Sequence, residues 1–422
     1  MSQIKSIKAR EILNSRAEPT VEVDLFTKDG VFRSAVPAGA STGAAEAIEL
    51  RDGGKRFWGK GVRKAVQNIN EIMAPKIIGR NVLEQKEIDD LLLELDGTNN
   101  KSNLGANAIL AVSMACCQAG AMASKLELYE YFGSLIGNQE FSLPQPMILI
   151  LEGGKHGNWS TDVQEYMVVP KKEAFVDFSE RLRVGAEIFH YLGKLLEEKN
   201  FYTGVGMEGA YCPLELKSNE HPFELMLAAI EKAGYEPGKE IVLAIDVAAS
   251  EFYNQGKYYL KSEGGLELES RQWTEKLSEW IKKYPLWSIE DGHYEDDWQE
   301  WVFFNQRHGG KVQIVGDDLL TTNVLRIQKA IDLKAVNSVL IKPNQIGTIS
   351  ETLSAIRLAH NNGLTTVISH RSGETNDDLI ADLTVGSGSW QSKFGGPDRG
   401  ERVAKYNRLL RIEEFKARKG RK

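Results

Sequence analysis

The sequence predicts an α/β protein: an N-terminal α+β cap followed by a (β/α)8 barrel. Three observations predict it. Residues 1–36 alternate in strand fashion, and helical periods then run from Ala44 to Phe132. Past Gln139, short apolar runs alternate with helical stretches. A polar, chemistry-bearing residue stands just beyond the C-terminal end of five of those runs.

Taken in order, Ile4, Ile7 and Ala9 mark a first strand. Val21, Val23, Leu25 and Val31 follow around a turn at Lys28–Gly30. Ala108–Ala123 is long, apolar and built from small residues, which predicts a tightly buried helix. Strands followed by helices make an α+β unit. The two prolines of Leu143–Pro146, after Gly133–Gln139, mark a boundary, so the expected parts are residues 1–138 and 139–422. The apolar runs beyond it are Ile241–Ile245, Trp287–Ile289, Val312–Val315, Ser338–Ile341 and Thr366–Ile368. Helical segments such as Trp273–Tyr284, Asn323–Ile331 and Ile349–His360 separate them. Tandem β/α units predict a parallel sheet covered by helices.

Asp246, Glu290, Asp317, Lys342 and His370 are the five residues past the strand ends. Most of their separations are close to the roughly 30 residues of one β/α unit. A barrel opens every such position onto one face, whereas a doubly wound sheet would spread them along a line.

Composition narrows the function. The chain has 422 residues, of which 42% are hydrophobic, and a net charge of -7. That charge argues against non-specific nucleic-acid or anionic-membrane binding as the main role. Cys116, Cys117 and Cys212 include no CxxC pair, so neither a disulfide framework nor a thiolate metal site is expected. The opening MSQIKSIKAREILNSR is too polar for a signal peptide, and no run of about 18 apolar residues predicts a membrane span. A cytoplasmic location is expected.

Asp246, Glu290 and Asp317 on one barrel rim would repel each other without a cation. An all-oxygen ligand set points to magnesium, with manganese as a substitute. Asp318, next along the strand, is expected to face elsewhere and support the site. Lys342, one unit on, is the candidate base for an acidic α-proton. Its ordinary pKa near 10.4 is too high for that work, and a second cation such as Lys393 would lower it. Lys393 could equally hold a substrate carboxylate.

Glu165 and Glu208 are candidates for an acid on the other side, since close carboxyls can share one proton. Taken alone, each is more often structural than catalytic. His156 sits in the glycine-rich EGGKHGNW, while His370, Arg371 and Ser372 form an anion-binding corner. The Ser41 loop, PAGASTGAAEAIEL, offers backbone donors and hydroxyls, or simply an N-cap with Glu46 nearby.

These residues, in this order, and the segments of chain around many of them resemble the enolase (phosphopyruvate hydratase) family over essentially the whole chain. The segments are ILNSRAEPTVEVD, AGASTGAAEAIELRDG, GTNNKSNLGANAILAVS, DVQEYM, SIEDGHYEDDW, QIVGDDL, KPNQIGTISET, VISHRSGET and GERVAKYNRLLRIEE. The resemblance implies an α+β cap on an enolase-type, TIM-like (β/α)8 barrel, slightly irregular at its start. It implies homodimers, which in some members assemble into octamers, and two magnesium ions per active site. Asp246, Glu290 and Asp317 would hold the tighter ion, and Ser41 would meet the second. Lys342 would remove the C2 proton of 2-phosphoglycerate. Glu208, with Glu165, would help the C3 hydroxyl leave as water. His156, Glu165, His370, Arg371, Ser372 and Lys393 would surround the substrate, and the product would be phosphoenolpyruvate.

The chain departs from the family pattern at several places. It has Ala38 for a serine, Glu152 for an asparagine, Met207 for an aspartate and Ala210 for a glycine. It has Pro343 for a small aliphatic residue and Phe394 for a threonine. Met207 is expected to remove a charge beside Glu208, Phe394 to add bulk beside Lys393, and Pro343 to alter hydrogen bonding at a strand end. A paralogue acting on a related phosphorylated or phosphonate three-carbon acid therefore stays open. So does a non-enzymatic binding protein with a vestigial site.

Overall fold

The structure is a computed structural model that describes residues 2–40 and 43–419. Ser41 therefore lies outside the described residues.

Strands β1 (Ser6–Leu13), β2 (Pro19–Phe26) and β3 (Val31–Ala35) form an antiparallel sheet. Its alternating apolar positions, Val21, Val23 and Leu25, are fully buried. The helix Ala106–Ser124 packs on that sheet. Its alanines, glycine, serine and cysteines keep it slim, so it can be buried on nearly every side. Among the described residues it alone is long and apolar enough to cross a membrane, but 83% of that stretch is buried inside the fold.

The second part is a closed eight-stranded barrel. Its strands are β4 (Gln145–Glu152), β5 (Glu165–Pro170), β6 (Ile241–Asp246), β10 (Leu286–Glu290), β11 (Gln313–Gly316), β12 (Ser338–Ile341), β13 (Thr365–Ser369) and β14 (Gln391–Lys393). A small sheet of β7 (Tyr253–Asn254), β8 (Lys257–Leu260) and β9 (Leu266–Glu269) leaves the barrel between β6 and β10. Round the ring the order is β10-β11-β12-β13-β14-β4-β5-β6. The predicted parallel sheet has one exception: β5 runs antiparallel to both neighbours, β4 and β6. An alternating run carries no mark of its direction, so periodicity could not show this.

Met147, Leu149, Met167, Val169, Val315, Leu340 and Val367 fill the barrel interior. A filled interior leaves only the rim for chemistry. The N-terminal part seats on that rim. Ala38 and Gly373 exchange backbone hydrogen bonds of 2.8 Å, and the Ser15 N–H donates to the Glu374 carbonyl at 2.8 Å.

Candidate active site

Barrel geometry explains how residues so far apart in sequence meet. Asp246, Glu290 and Lys393 end β6, β10 and β14. Asp317, Lys342 and His370 each follow a strand directly. Glu165 begins its strand, but β5 is reversed, so its first residue pairs with Asp246 at the same rim. Glu208 and His156 arrive on loops. Ten of these predicted residues line one small pocket: His156, Glu165, Glu208, Asp246, Asp317, Lys342, His370, Arg371, Ser372 and Lys393. Glu290 lies beneath them, fully buried.

One side of the site is built from carboxylates and lysines. The Lys393 ammonium lies 2.9 Å from Asp246, 2.8 Å from both Glu290 oxygens and 3.2 Å from Glu165. Lys342 pairs with Asp317, whose other oxygen accepts from the Gln345 amide at 2.8 Å. The predicted triad therefore converges on ammonium groups. Among the described residues, the ligand atoms that lie within 4.8 Å of one another belong instead to Asp291, Asp317 and Asp318, and to His156, Glu165 and Glu208. Either cluster could hold a divalent cation.

Burial and like charges push Glu290, Asp291 and Asp318 well above the ordinary carboxylate range. A hard cation relieves that strain, and oxygen donors suit magnesium, so the residues fit such an ion.

Two expectations need correction. Lys342 is not lowered. Burial most of all, with Arg371 and Lys393, pushes its pKa down, but Asp317 and Glu290 among its neighbours pull it up and the net shift is upward. Asp318 does not face away. β11 ends at Gly316, so strand alternation no longer applies, and Asp318 lines the same pocket.

The other side is built from glutamates and histidines. His156 Nδ1 lies 3.4 Å from Glu208 and 3.6 Å from Glu165. His370 Nε2 lies 3.0 Å from Glu208. Arg402 donates to His370 Nδ1 at 2.7 Å, which assigns the proton of the neutral ring to Nε2, facing Glu208. Burial pushes His370 down to about 4. Burial and Glu208 raise Glu165 to about 7. The two glutamates are thus set to hold one proton between them, near a shared imidazole.

At the anion corner, Arg371 donates to both Glu46 oxygens at 3.0 and 3.1 Å and to Asn344 at 3.0 Å. Ser372 Oγ accepts from Arg16 at 3.5 Å. Glu46 reaches Arg371 from just beyond the Ser41 loop. Its part in the site went unread because an N-cap explained it equally well.

The departures divide into two kinds. Pro343 opens the short helix Pro343–Ile346, where a missing N–H costs nothing because that position has no helical acceptor. Phe394 points away from Lys393 into the outer core, edge-on to Tyr406 at 6.0 Å. Neither alters the pocket in the expected way. Met207 and Glu152, by contrast, both belong to the glutamate side. Sequence reasoning flagged Glu152 only as a departure, but it is fully buried and accepts from the Glu208 and Ala210 N–H groups. Burial and Glu208 push its carboxyl up to about 8. Asp291 and Arg402 were missed. The doubled acid Glu290–Asp291 was a usable signal for the first, since Asp291 holds the N–H groups of Asp317 and Asp318 at 2.9 and 2.8 Å.

Carboxylates, lysines and a proton-sharing glutamate pair on a barrel rim define a metal-assisted lyase that works on the α-carbon of an acid. The comparison with known families gives the particular one. Residues 4–132 match the enolase N-terminal domain, and residues 140–421 match the enolase C-terminal TIM barrel domain. The chain belongs to the enolase family.

Proposed function

We propose that the protein is a magnesium-dependent phosphopyruvate hydratase that interconverts 2-phosphoglycerate and phosphoenolpyruvate. One observation carries this reading. Lys342 follows β12 and Glu165 opens β5, and those strands lie four places apart in an eight-strand ring. Base and acid therefore face each other across the barrel. Asp246, Glu290 and Asp317 occupy the arc between them, from β6 to β11.

Lys342 takes the C2 proton; a cation held by Asp317 would offset the carboxylate that raises the lysine pKa and so would free the amine for that role. The Glu165–Glu208 pair gives a proton to the C3 hydroxyl, which leaves as water while the C2–C3 double bond forms. Hydration reverses each transfer. Asp246, Glu290 and Asp317 would hold the tighter magnesium, which supplies positive charge against the charge developing on the substrate carboxylate. Arg371 and Ser372 read the phosphate, Arg371 exchanging Glu46 for it. His156, His370 and Lys393 complete the wall. The second magnesium, with Ser41, rests on family resemblance alone, as does replacement by manganese.

We also place the protein in the cytoplasm, as a homodimer that could build octamers, with parts at residues 1–138 and 139–422. A cavity of about 880 Å³ between the N-terminal sheet and the barrel supports a second copy as partner. Its walls include Leu13, Met122 and Leu126, all exposed, beside Asp378 and Arg411.

The test is phosphoenolpyruvate absorbance from purified protein and 2-phosphoglycerate, with magnesium and then with EDTA. Turnover of a related phosphorylated or phosphonate acid alone would favour the paralogue, a reading supported by Glu152 and Met207 at the acid. Partner binding that survives Lys342→Ala and Glu208→Gln, without any turnover, would favour a binding protein.

A further inference from the structure

Glu208 sits on a turn whose backbone groups are gripped from two directions. On one side its carbonyls are held. Arg399 donates to the Gly206 oxygen at 3.0 Å, Arg402 to the Met207 oxygen at 3.1 Å, and the Gly396 N–H to the Glu208 oxygen at 2.8 Å. On the other side stands Glu152, the last residue of β4. Its Oε1 accepts from the Glu208 N–H at 3.1 Å and the Ala210 N–H at 2.9 Å, and its Oε2 lies 3.2 Å from the former. Gly209, between the two donors, has a φ of +81°, so both N–H groups can converge on one acceptor in an anion-binding nest. Packing around the acceptor is close. A Cβ on Gly206 would come within 2.6 Å of the Glu152 carboxyl carbon.

We propose that Glu152 is a positioning residue for the acid: its carboxyl fixes the 206–210 turn and so aims Glu208 at the C3 side of the pocket. Glu152 does not line the pocket, and its hydrogen bonds to this turn are with backbone N–H groups. Removing the acceptor leaves two buried N–H groups unmatched and frees the turn on that side. Lys342 stands across the barrel and shares no contact with this nest, so proton abstraction at C2 should be untouched.

The inference rests on the dehydration reading, and the experiment separates the two. Wild type, Glu152→Ala, Glu152→Met and Glu152→Gln are compared for steady-state dehydration of 2-phosphoglycerate. Exchange of its C2 proton with deuterium from solvent is followed by NMR, and unfolding midpoints are recorded. Glu152→Met keeps the side-chain volume without an acceptor and decides the matter if Glu152→Ala does not fold. The expected result is a kcat lowered about 10²-fold in the Ala and Met variants, the usual cost of a misplaced catalytic group. KM and C2 exchange should stay near wild type, and Glu152→Gln, which keeps an acceptor oxygen, should recover most of kcat. Unchanged kcat in Glu152→Met would overturn the inference. So would equal loss of exchange and turnover, or Glu152→Gln as poor as Glu152→Met. A wild type that neither exchanges nor dehydrates 2-phosphoglycerate sinks the functional reading and takes this one with it.

Discussion

The two sides of the pocket solve opposite problems. The carboxylate–lysine side stands on strand ends, and its charges are met in part in place, Lys393 against Asp246 and Glu290 and Lys342 against Asp317, while Asp291 and Asp318 are raised by burial and by their carboxylate neighbours. The glutamate–histidine side relies partly on loops and is left short of partners. Both His156 nitrogens are buried without a well-formed hydrogen bond among the described residues, while Glu165 Oε2 meets the Lys393 ammonium at 3.2 Å and Glu208 Oε2 meets His370 Nε2 at 3.0 Å. Buried polar groups left this way mark a place where a ligand or proton is meant to arrive. On the proposed reading, rigid charge serves binding and enolate stabilisation, while the His156–glutamate side serves proton delivery.

The sharpest way to break that contrast is to remove the metal. EDTA should abolish turnover and magnesium should restore it, because the clustered carboxylates then lose their divalent counter-charge. Magnesium should also raise the unfolding midpoint, since it binds only the folded rim. Turnover that persists in EDTA would refute the metal reading. Next in size is Lys342→Ala, expected to lower kcat about 10³- to 10⁴-fold with magnesium binding by calorimetry retained. Glu208→Gln follows, expected to lower dehydration about 10²- to 10³-fold while C2 exchange survives. Loss of exchange in Glu208→Gln would mean that the two sides do not act separately.

A smaller effect follows from pH. Burial and Glu208 raise the Glu165 pKa to about 7. Below that pH the pair keeps the proton that dehydration consumes, and above it the proton is lost. The dehydration rate should therefore fall with rising pH through about 7, and Glu165→Gln should flatten that limb. A limb unchanged in Glu165→Gln would assign the proton elsewhere.

The same contrast explains what was legible. Asp246, Glu290, Asp317 and Lys342 could be read because a barrel places every strand end on one face, so position in a β/α unit predicts position in the site. Glu46 and Arg371 are 325 residues apart, and nothing local in either joins them. Arg402 and Glu152 act on backbone and on a ring nitrogen brought to them by the fold, so their residue types carry no signal alone. The direction of β5, which delivers Glu165 to the rim, is invisible to an alternating pattern.

Phe394 gives the smallest expected effect on activity. Its neighbour Lys393 ends β14 and reaches into the pocket, whereas Phe394 lies one residue past the strand. Phe394 is fully buried in the outer core beside Tyr406. Phe394→Thr should leave KM for 2-phosphoglycerate and kcat within about twofold of wild type, since neither side of the pocket loses a contact. It should instead destabilise the fold by about 3 kcal/mol, the scale of a large aromatic removed from a packed core, measured by denaturant unfolding. A changed KM at unchanged stability would mean that this ring shapes the substrate site after all. The departure beside Lys393 would then join Glu152 and Met207 as a determinant of which acid is bound.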